Sequence, residues 1–238
     1  MRIYWIRHGE MESARLRDQF RTTKGGPDLA LLNRVLGQEE EGPLSGKGRR
    51  EAEAAAQVLA RRPIKSVWSS TMIRARETAE ALAGITGHKI TVTDDLREVR
   101  AGKLSEDELT WRFIRGVTGA PLLPDRVKVL VLGATVIPTM YYRWERGLTR
   151  GGETPAEFHA RLTRAVSGII KSHDPGDSIA VFCHGYVITY LADRFCRTGP
   201  PVRVTRYVRN GSITTTDVRP DGSLVLREFA AARHLKVG

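Results

Sequence analysis

Short β-prone runs alternate with helical segments along the chain, and this alternation constrains the fold more than any other feature. Strands are predicted at Arg2–Ile6, Ile64–Ser69, Lys89–Thr93, Asp177–Phe182, Val204–Tyr207, Ser212–Val218 and Leu224–Phe229. Helices are predicted at Gly48–Arg62, Thr71–Ala83, Pro155–Ser172 and Tyr186–Phe195. This order predicts the α/β class, as a three-layer α/β/α sandwich with a mainly parallel central sheet and an inserted cap region.

Residues that favour helix ends stand at several of these boundaries. Ser45 is placed to cap the Ala-rich helix, which Pro63 ends, and Thr154 is placed to cap the helix that has Pro155 at its first position. Gly84 is expected to close the helix that begins at Thr71.

Two long stretches interrupt the alternation. The polar segment Glu12–Pro43 is expected to hold at most one helix, and the segment Glu98–Gly152 is predicted to contain a helix over Glu106–Arg115. The apolar run Val127–Val136 fits either a strand or a buried helix, and the sequence leaves that choice open. We therefore expect a single domain over residues 1–238, with cap or insertion segments at about 12–43 and 103–151.

Composition narrows the classes of partner. The chain has 238 residues and a formal net charge of +11, which suits a polyanionic partner or a phosphorylated small molecule. Its arginines are dispersed and no nucleic-acid-binding module is visible, so a solvated basic surface is favoured over nucleic-acid binding.

The sequence also carries expectations about location. No apolar stretch reaches about 18 residues and no signal peptide is visible, so neither a membrane span nor secretion is expected. The only cysteines are Cys183 and Cys196, which indicates a cytoplasmic protein without a disulfide framework. Whether the chain forms a homodimer stays open.

Chemically active residues follow three of the predicted strands. Arg7-His8-Gly9-Glu10 follows the first, Ser69-Ser70-Thr71 with Arg74 follows the second, and His184-Gly185 follows a late buried strand. The carboxyl ends of parallel strands share one edge, where ligands bind in open α/β sheets. We therefore expect these residues to converge on one site.

Two histidines and two arginines at one edge would suit a tetrahedral anion, because guanidinium groups grip phosphate oxygens in pairs. Nearby arginines would keep His8 neutral, so that its lone pair could attack phosphorus and form a phosphohistidine. Glu98 could protonate the leaving group, since a carboxyl beside a bound phosphate keeps its proton to higher pH. The alternatives are that Glu98 is an exposed loop residue without a catalytic role, or that a neighbouring acid is the proton donor.

Six segments in order resemble the histidine phosphatase superfamily, which contains cofactor-dependent phosphoglycerate mutases and many phosphatases. The matching segments are Arg7-His8-Gly9-Glu10, Pro43-Leu44-Ser45-Gly46-Lys47-Gly48, Ser69 to Ala79, Leu96 to Gly102, Gly152-Glu153-Thr154 and His184-Gly185. A weaker match lies at Asn210-Gly211-Ser212-Ile213.

The resemblance implies a role for each matching position. His8 would be the phosphorylated nucleophile and Glu98 the proton donor, while Arg7, Arg74 and His184 would bind the phosphoryl group. The expected substrate-binding residues are Arg7, Gly9, Glu10, Ser13, Arg74, His184 and Gly185. Members of the family need no metal, and no metal or other cofactor is expected here.

The chain also departs from the family pattern. Ala14 stands where many members have Asn, and Leu104-Ser105-Glu106 replaces a Trp-Glu-Gly that is frequent in the phosphatase branch. Four cations follow the nucleophile loop, and they either form a solvated face or bind a second anionic group of the substrate: Arg15, Arg17, Arg21 and Lys24.

The sequence therefore favours a metal-independent phosphomonoester hydrolase acting on a small phosphorylated metabolite. A phosphomutase of the phosphoglycerate mutase type and a non-catalytic phospho-ligand-binding or regulatory domain remain as alternatives.

Overall fold

The computed structural model describes residues 1–12, 42–102, 112, 116–117, 119–120, 124, 141–196 and 208–236. The described residues fall into two compact units. The first takes its residues from Met1–Glu12, Glu41–Glu98 and Ala160–Gly238, and the second takes its residues from Val99–His159.

The first unit is built on a six-stranded sheet. Its strands are β1 (Arg2–Arg7), β2 (Ile64–Ser70), β3 (Ile90–Thr93), β4 (Ser178–Cys183), β5 (Ile213–Val218) and β6 (Leu224–Ala231), in the spatial order β3-β2-β4-β1-β5-β6. The four strands from β3 to β1 are parallel, whereas β5 and β6 join as antiparallel strands. The expectation of an α/β fold with a mainly parallel sheet is confirmed.

The helices are α1 (Gly46–Ala60), α2 (Ile73–Thr86), α3 (Pro155–Lys171) and α4 (Gly185–Arg194), with 3₁₀ turns at Asp94–Leu96 and Arg233–Lys236. Small residues of α1 and α2 pack in one core cluster with the sheet residues Tyr4, Ile6 and Phe182. Because successive side chains of a strand point to opposite faces, and the intervening Ile3 and Trp5 are also fully buried, both faces of the sheet are covered.

The helix boundaries follow the predicted caps in two of three cases. Ser45 accepts a hydrogen bond from the Gly48 amide at 3.0 Å. Thr154 and Glu157 form a reciprocal capping box in which each side chain accepts from the other residue's amide, at 3.2 and 2.8 Å.

The expectation that α2 closes at Gly84 is wrong. The helix runs on to Thr86 and is capped by Gly87, which has a φ of 73° and donates its amide to the Ala83 carbonyl. A glycine inside a helix costs only about 1 kcal/mol relative to alanine, so Gly84 does not end it. The left-handed conformation at Gly87 turns the chain instead.

In the second unit, the buried Trp144 contacts Glu153 and Phe158. Its indole Nε1 donates to the Glu153 carbonyl, and its ring meets Phe158 edge-on at 5.4 Å between centroids. The Glu153 carboxylate accepts the Arg100 amide at 2.9 Å.

Several expectations fall outside the described residues. They concern most of the segment Glu12–Pro43, nearly all of the helix predicted over Glu106–Arg115, the run Val127–Val136 and the strand predicted at Val204–Tyr207. Among the described helices, none is long and apolar enough to cross a membrane.

Candidate active site

His8 lies just beyond β1 with one ring nitrogen held by the backbone. Its Nδ1 is 2.7 Å from the Gly9 carbonyl oxygen. A carbonyl can only accept, so Nδ1 carries the proton and donates it to Gly9. The other nitrogen, Nε2, accepts from the Arg74 Nε–H at 3.1 Å. The ring therefore has a defined tautomer, and its lone pair at Nε2 points toward a guanidinium.

The surroundings of His8 keep the imidazole neutral. Only 7% of the residue is exposed, and burial is the main cause that lowers its pKa well below the usual 6.5. The charges of Arg74 and Arg7 lower it further. A neutral imidazole whose unprotonated nitrogen is Nε2 has the form that a nucleophile requires.

The other residues predicted for the anion site come together around His8 in the first unit. Arg74 is buried in the first turn of α2. The ring of His184, which follows β4, lies 5.2 Å from that of His8 between centroids. The Arg7 guanidinium donates to the Val208 carbonyl, and its Nε would lie 3.3 Å from a Cβ placed on Gly185.

His184 is fully buried and its pKa is also well below the usual 6.5, first through burial and then through Arg74, His8 and Arg7. Its Nε2 is 2.9 Å from the hydroxyl oxygen of Ser70. Within the described part of the chain, its buried Nδ1 has no hydrogen-bond partner.

Glu98 is buried, with 7% of its surface exposed, so the alternative of an exposed loop residue is wrong. Its Oε2 accepts the Tyr186 amide at 3.1 Å, and its carbonyl oxygen accepts from Arg161 at 3.3 Å. The Glu98 carboxylate therefore lies at the N-terminal turn of α4, beside Tyr186, which comes two residues after His184 in the sequence.

Glu10 faces α1. Its carboxylate accepts from the Ser45 hydroxyl at 3.2 Å and from Lys47 Nζ at 2.8 Å, while its amide donates to Glu51. Gly9 packs so closely here that a Cβ on it would overlap the Gly48 carbonyl oxygen, which explains a glycine at this position.

Three residues that contact the nucleophile loop or His184 were not assigned a role from the sequence. The buried Thr78 hydroxyl accepts the Gly9 amide at 3.0 Å and donates to the Arg74 carbonyl at 2.7 Å. Asn210 Nδ2 donates to the His8 carbonyl at 3.0 Å, and Ser70 contacts His184. Thr78 and Ser70 lie inside the motif around Arg74, which was the available signal, but their partners are distant in sequence.

Ser13, Ala14 and the four cations Arg15, Arg17, Arg21 and Lys24 lie outside the described residues. Among the residues that are described, no group of three or more His, Cys, Asp or Glu side chains could hold a metal ion.

Similarity to known proteins extends over most of the chain. The model of the histidine phosphatase superfamily (branch 1) matches residues 3–114 and 135–230. Phosphoglycerate mutase-like protein 4 of Arabidopsis thaliana is 26% identical over 195 residues, which cover 81% of this chain and 76% of that protein. Glucosyl-3-phosphoglycerate phosphatase of Mycobacterium tuberculosis is 28% identical over 178 residues, which cover 71% of this chain and 70% of that protein.

The fold has close counterparts among solved structures. Bacillus stearothermophilus YhfR matches with a TM-score of 0.66 at 21% identity, covering 99% of both chains. The mycobacterial glucosyl-3-phosphoglycerate phosphatase in complex with VO3 matches with a TM-score of 0.64 at 23% identity, covering 97% of this chain and 98% of that one. At these identities, the likeness supports the shared fold alone.

Proposed function

The chain belongs to the histidine phosphatase superfamily, and from this membership and the geometry around His8 we propose that it hydrolyses phosphomonoesters through a phosphohistidine on His8. The observation that carries the proposal is the tautomer of His8. The Gly9 carbonyl holds the proton on Nδ1, and the lone pair of Nε2 accepts the Arg74 Nε–H at 3.1 Å.

In the first step, a phosphoryl group binds between Arg7, Arg74 and His184. Arg74 turns its donor from His8 Nε2 to a phosphoryl oxygen, and Nε2 forms a bond to phosphorus as the bond to the ester oxygen breaks. The leaving oxygen takes a proton from Glu98. Fixed positive charge around the equatorial oxygens lowers the barrier of such a transfer.

In the second step, water attacks the phosphohistidine from the side that the alcohol has left. The Glu98 carboxylate takes the proton from this water, so that inorganic phosphate and free His8 are regenerated. Glu98 therefore acts once as acid and once as base.

The reaction as proposed needs no metal. Two guanidinium groups, which stay charged at any physiological pH, supply the positive charge that a divalent cation supplies in other phosphoryl-transfer enzymes. We expect phosphatase activity to be unchanged by EDTA, and loss of activity that added Mg²⁺ restores would contradict this part.

We propose a small phosphorylated metabolite with a second anionic group as substrate. The net charge of +11 and the four cations that follow the nucleophile loop in the sequence support this. In this proposal the segments 12–43 and 103–151 act as caps that select the substrate. Neutralising Arg15, Arg17, Arg21 and Lys24 should raise KM for the true substrate far more than KM for an aryl phosphate.

A phosphomutase of the same family is the second candidate, because a relative named probable phosphoglycerate mutase GpmB from Serratia proteamaculans is 30% identical over 113 residues. A mutase returns the phosphoryl group from the histidine to its substrate, whereas a phosphatase lets water take it.

The test is a panel of phosphorylated metabolites, assayed for release of inorganic phosphate and for isomerised product, with the His8→Asn variant as control. We expect the wild-type protein to release phosphate and the His8→Asn variant to release none. Isomerisation without phosphate release would identify a mutase. Binding of phosphorylated ligands without either reaction would contradict the enzymatic proposal and indicate a binding domain.

A further inference from the structure

We propose that Ser70 is a positioning residue that fixes His184 as the Nδ1–H tautomer and so presents an N–H donor to the bound phosphoryl group. This inference rests on the function proposed above for the same site. It assigns the direction of a hydrogen bond within the site and a task to a serine that does not itself touch substrate.

The topology brings the two side chains together. Ser70 is the last residue of β2, His184 follows β4, and these two strands are parallel neighbours in the sheet. Both residues are fully buried, and the Ser70 Oγ lies 2.9 Å from His184 Nε2. Neither group can replace this partner with solvent.

The imidazole of His184 is neutral, because burial and the neighbouring charges of Arg74 and Arg7 hold its pKa well below 6.5. A neutral imidazole carries one N–H, on either Nδ1 or Nε2. The tautomer of His184 therefore follows from the direction of its hydrogen bond with Ser70, that is, from whether Nε2 accepts from the hydroxyl or donates to it.

The hydrogen bonds of Ser70 favour the Nδ1–H tautomer of His184. The Met72 amide donates to Ser70 Oγ at 3.3 Å, so the hydroxyl already accepts one bond and still has its own hydrogen to donate. Among the described residues, His184 Nε2 is the acceptor in reach of that hydrogen. If Ser70 donates to it, Nε2 is the acceptor and Nδ1 must carry the proton.

The opposite tautomer leaves more buried groups unsatisfied. With the proton on Nε2, both the Ser70 hydroxyl hydrogen and the Nδ1 lone pair would be buried without a partner among the described residues. Each such group costs free energy, so this arrangement is disfavoured. In the favoured tautomer, the Nδ1–H alone is unpaired, and a phosphoryl oxygen can accept it.

The tautomer matters for phosphate. An Nδ1–H attracts a phosphoryl oxygen, whereas a lone pair at Nδ1 repels it. A side chain that favours the wrong tautomer would weaken the anion site without changing any group that touches substrate. Ser70 is therefore expected to affect both the protonation pattern of His184 and the rate of phosphoryl transfer.

The direct test is ¹⁵N NMR of the imidazole groups in the folded protein, with the His184 signals assigned by their loss in His184→Gln. We expect Nδ1 to be the protonated nitrogen in the wild-type protein at neutral pH. Protonation at Nε2 would overturn the proposal, and this measurement requires neither a variant of Ser70 nor turnover.

Variants then test whether Ser70 causes the preference. In Ser70→Ala we expect the Nδ1–H preference to be lost and kcat/KM to fall roughly tenfold. Ser70→Thr keeps the hydroxyl and should retain the tautomer. Ser69→Ala is the matched control, because that neighbouring buried hydroxyl donates to the Ser70 carbonyl rather than to His184. Retention of the Nδ1–H tautomer in Ser70→Ala would overturn the role of Ser70.

A titration with inorganic phosphate separates this inference from the proposed function. We expect phosphate to shift the His184 Nδ1 signal of the wild-type protein. If the tautomer is as proposed but phosphate produces no shift, then the site is not an anion site and the proposed function fails, whereas the link between Ser70 and the His184 tautomer stands.

Discussion

At the scale of single residues, the reactivity of the site depends on where each imidazole holds its proton. The Gly9 carbonyl directs the His8 proton to Nδ1 and leaves Nε2 to Arg74. Burial removes the option of charging either ring, because water cannot stabilise the imidazolium form. In the proposed mechanism the two histidines therefore serve different tasks, His8 as nucleophile and His184 as N–H donor.

Glu98→Gln tests the role of the buried carboxyl. Removing a general acid should lower kcat/KM for an alkyl phosphate by about 10² to 10⁴-fold, because the alkoxide needs a proton as it leaves. For p-nitrophenyl phosphate, whose leaving group is stable as an anion, the loss in the first step should be much smaller. Single-turnover kinetics with both substrates measure this difference, and equal losses would contradict the assignment.

The sequence predicted which residues come together around His8 better than it predicted the contacts that hold them there. His8, Arg74 and His184 were identified because each follows a predicted strand, and parallel strands bring their ends together. The bond between Gly9 and Thr78 joins residues 69 positions apart, and the bond between His8 and Asn210 joins residues 202 positions apart. No local pattern reports such pairings.

At the scale of elements, Thr78 couples the nucleophile loop to α2. Its hydroxyl accepts from Gly9, beside the nucleophile, and donates to Arg74, one helical turn earlier. Both directions are fixed, since an amide only donates and a carbonyl only accepts. A single buried hydroxyl thereby sets the distance between the loop that carries His8 and the helix that carries its cation.

Thr78→Val should uncouple these two elements. It leaves the buried Gly9 amide without its acceptor, so we expect a loss of about 1–3 kcal/mol in the free energy of unfolding, together with a lower kcat/KM. Thr78→Ser should restore both quantities in large part, and urea unfolding and steady-state kinetics measure them.

Thr86→Val is the matched control for Thr78→Val. It makes the same change in the same helix, where the hydroxyl bonds back to the Leu82 carbonyl. We expect its stability to stay within about 0.5 kcal/mol of the wild-type value, with unchanged kinetics. If Thr78→Val were as mild as this control, the coupling would not exist.

The same scale shows where helix ends are predictable. The α1 and α3 boundaries follow from side chains that cap amides locally, at Ser45 and at Thr154. The end of α2 does not follow from the sequence, because either Gly84 or Gly87 could close the helix. The conformation of the backbone after Thr86, with its positive φ at Gly87, decides between them.

At the scale of the whole molecule, the site ties stability to pH. Both His8 and His184 have pKa values well below 6.5, chiefly through burial, so the folded protein keeps them neutral where the unfolded chain binds protons. The contribution of these two histidines to the free energy of unfolding is therefore complete above about pH 6.5. Below that pH the free energy of unfolding falls, by about 1.4 kcal/mol per pH unit for each histidine.

Urea unfolding between about pH 7.5 and pH 5.5 measures this slope. His8→Gln should reduce the slope by about 1.4 kcal/mol per pH unit at the acid end of this range, because the unfolded variant binds one proton fewer. An equal slope in His8→Gln and the wild-type protein would show that His8 is not held neutral by the fold.

The sheet order was predictable only in part. Helices between successive strands indicate parallel pairing, and this holds for β1 to β4. The strands β5 and β6 lie antiparallel at one edge, where β5 pairs with β1 across more than 200 residues of sequence. That pairing depends on which edge of the finished sheet is open, which no stretch of sequence encodes alone.

The central claim is that His8 accepts the phosphoryl group on Nε2, and the most direct measurement is to trap that intermediate. The wild-type protein is mixed with a ³²P-labelled phosphomonoester, quenched in alkali, in which phosphohistidine survives, and digested for mass spectrometry. The account predicts label on the peptide that contains His8, at Nε2, and none in His8→Asn. Label on another residue, or turnover at the wild-type rate in His8→Asn, would contradict it.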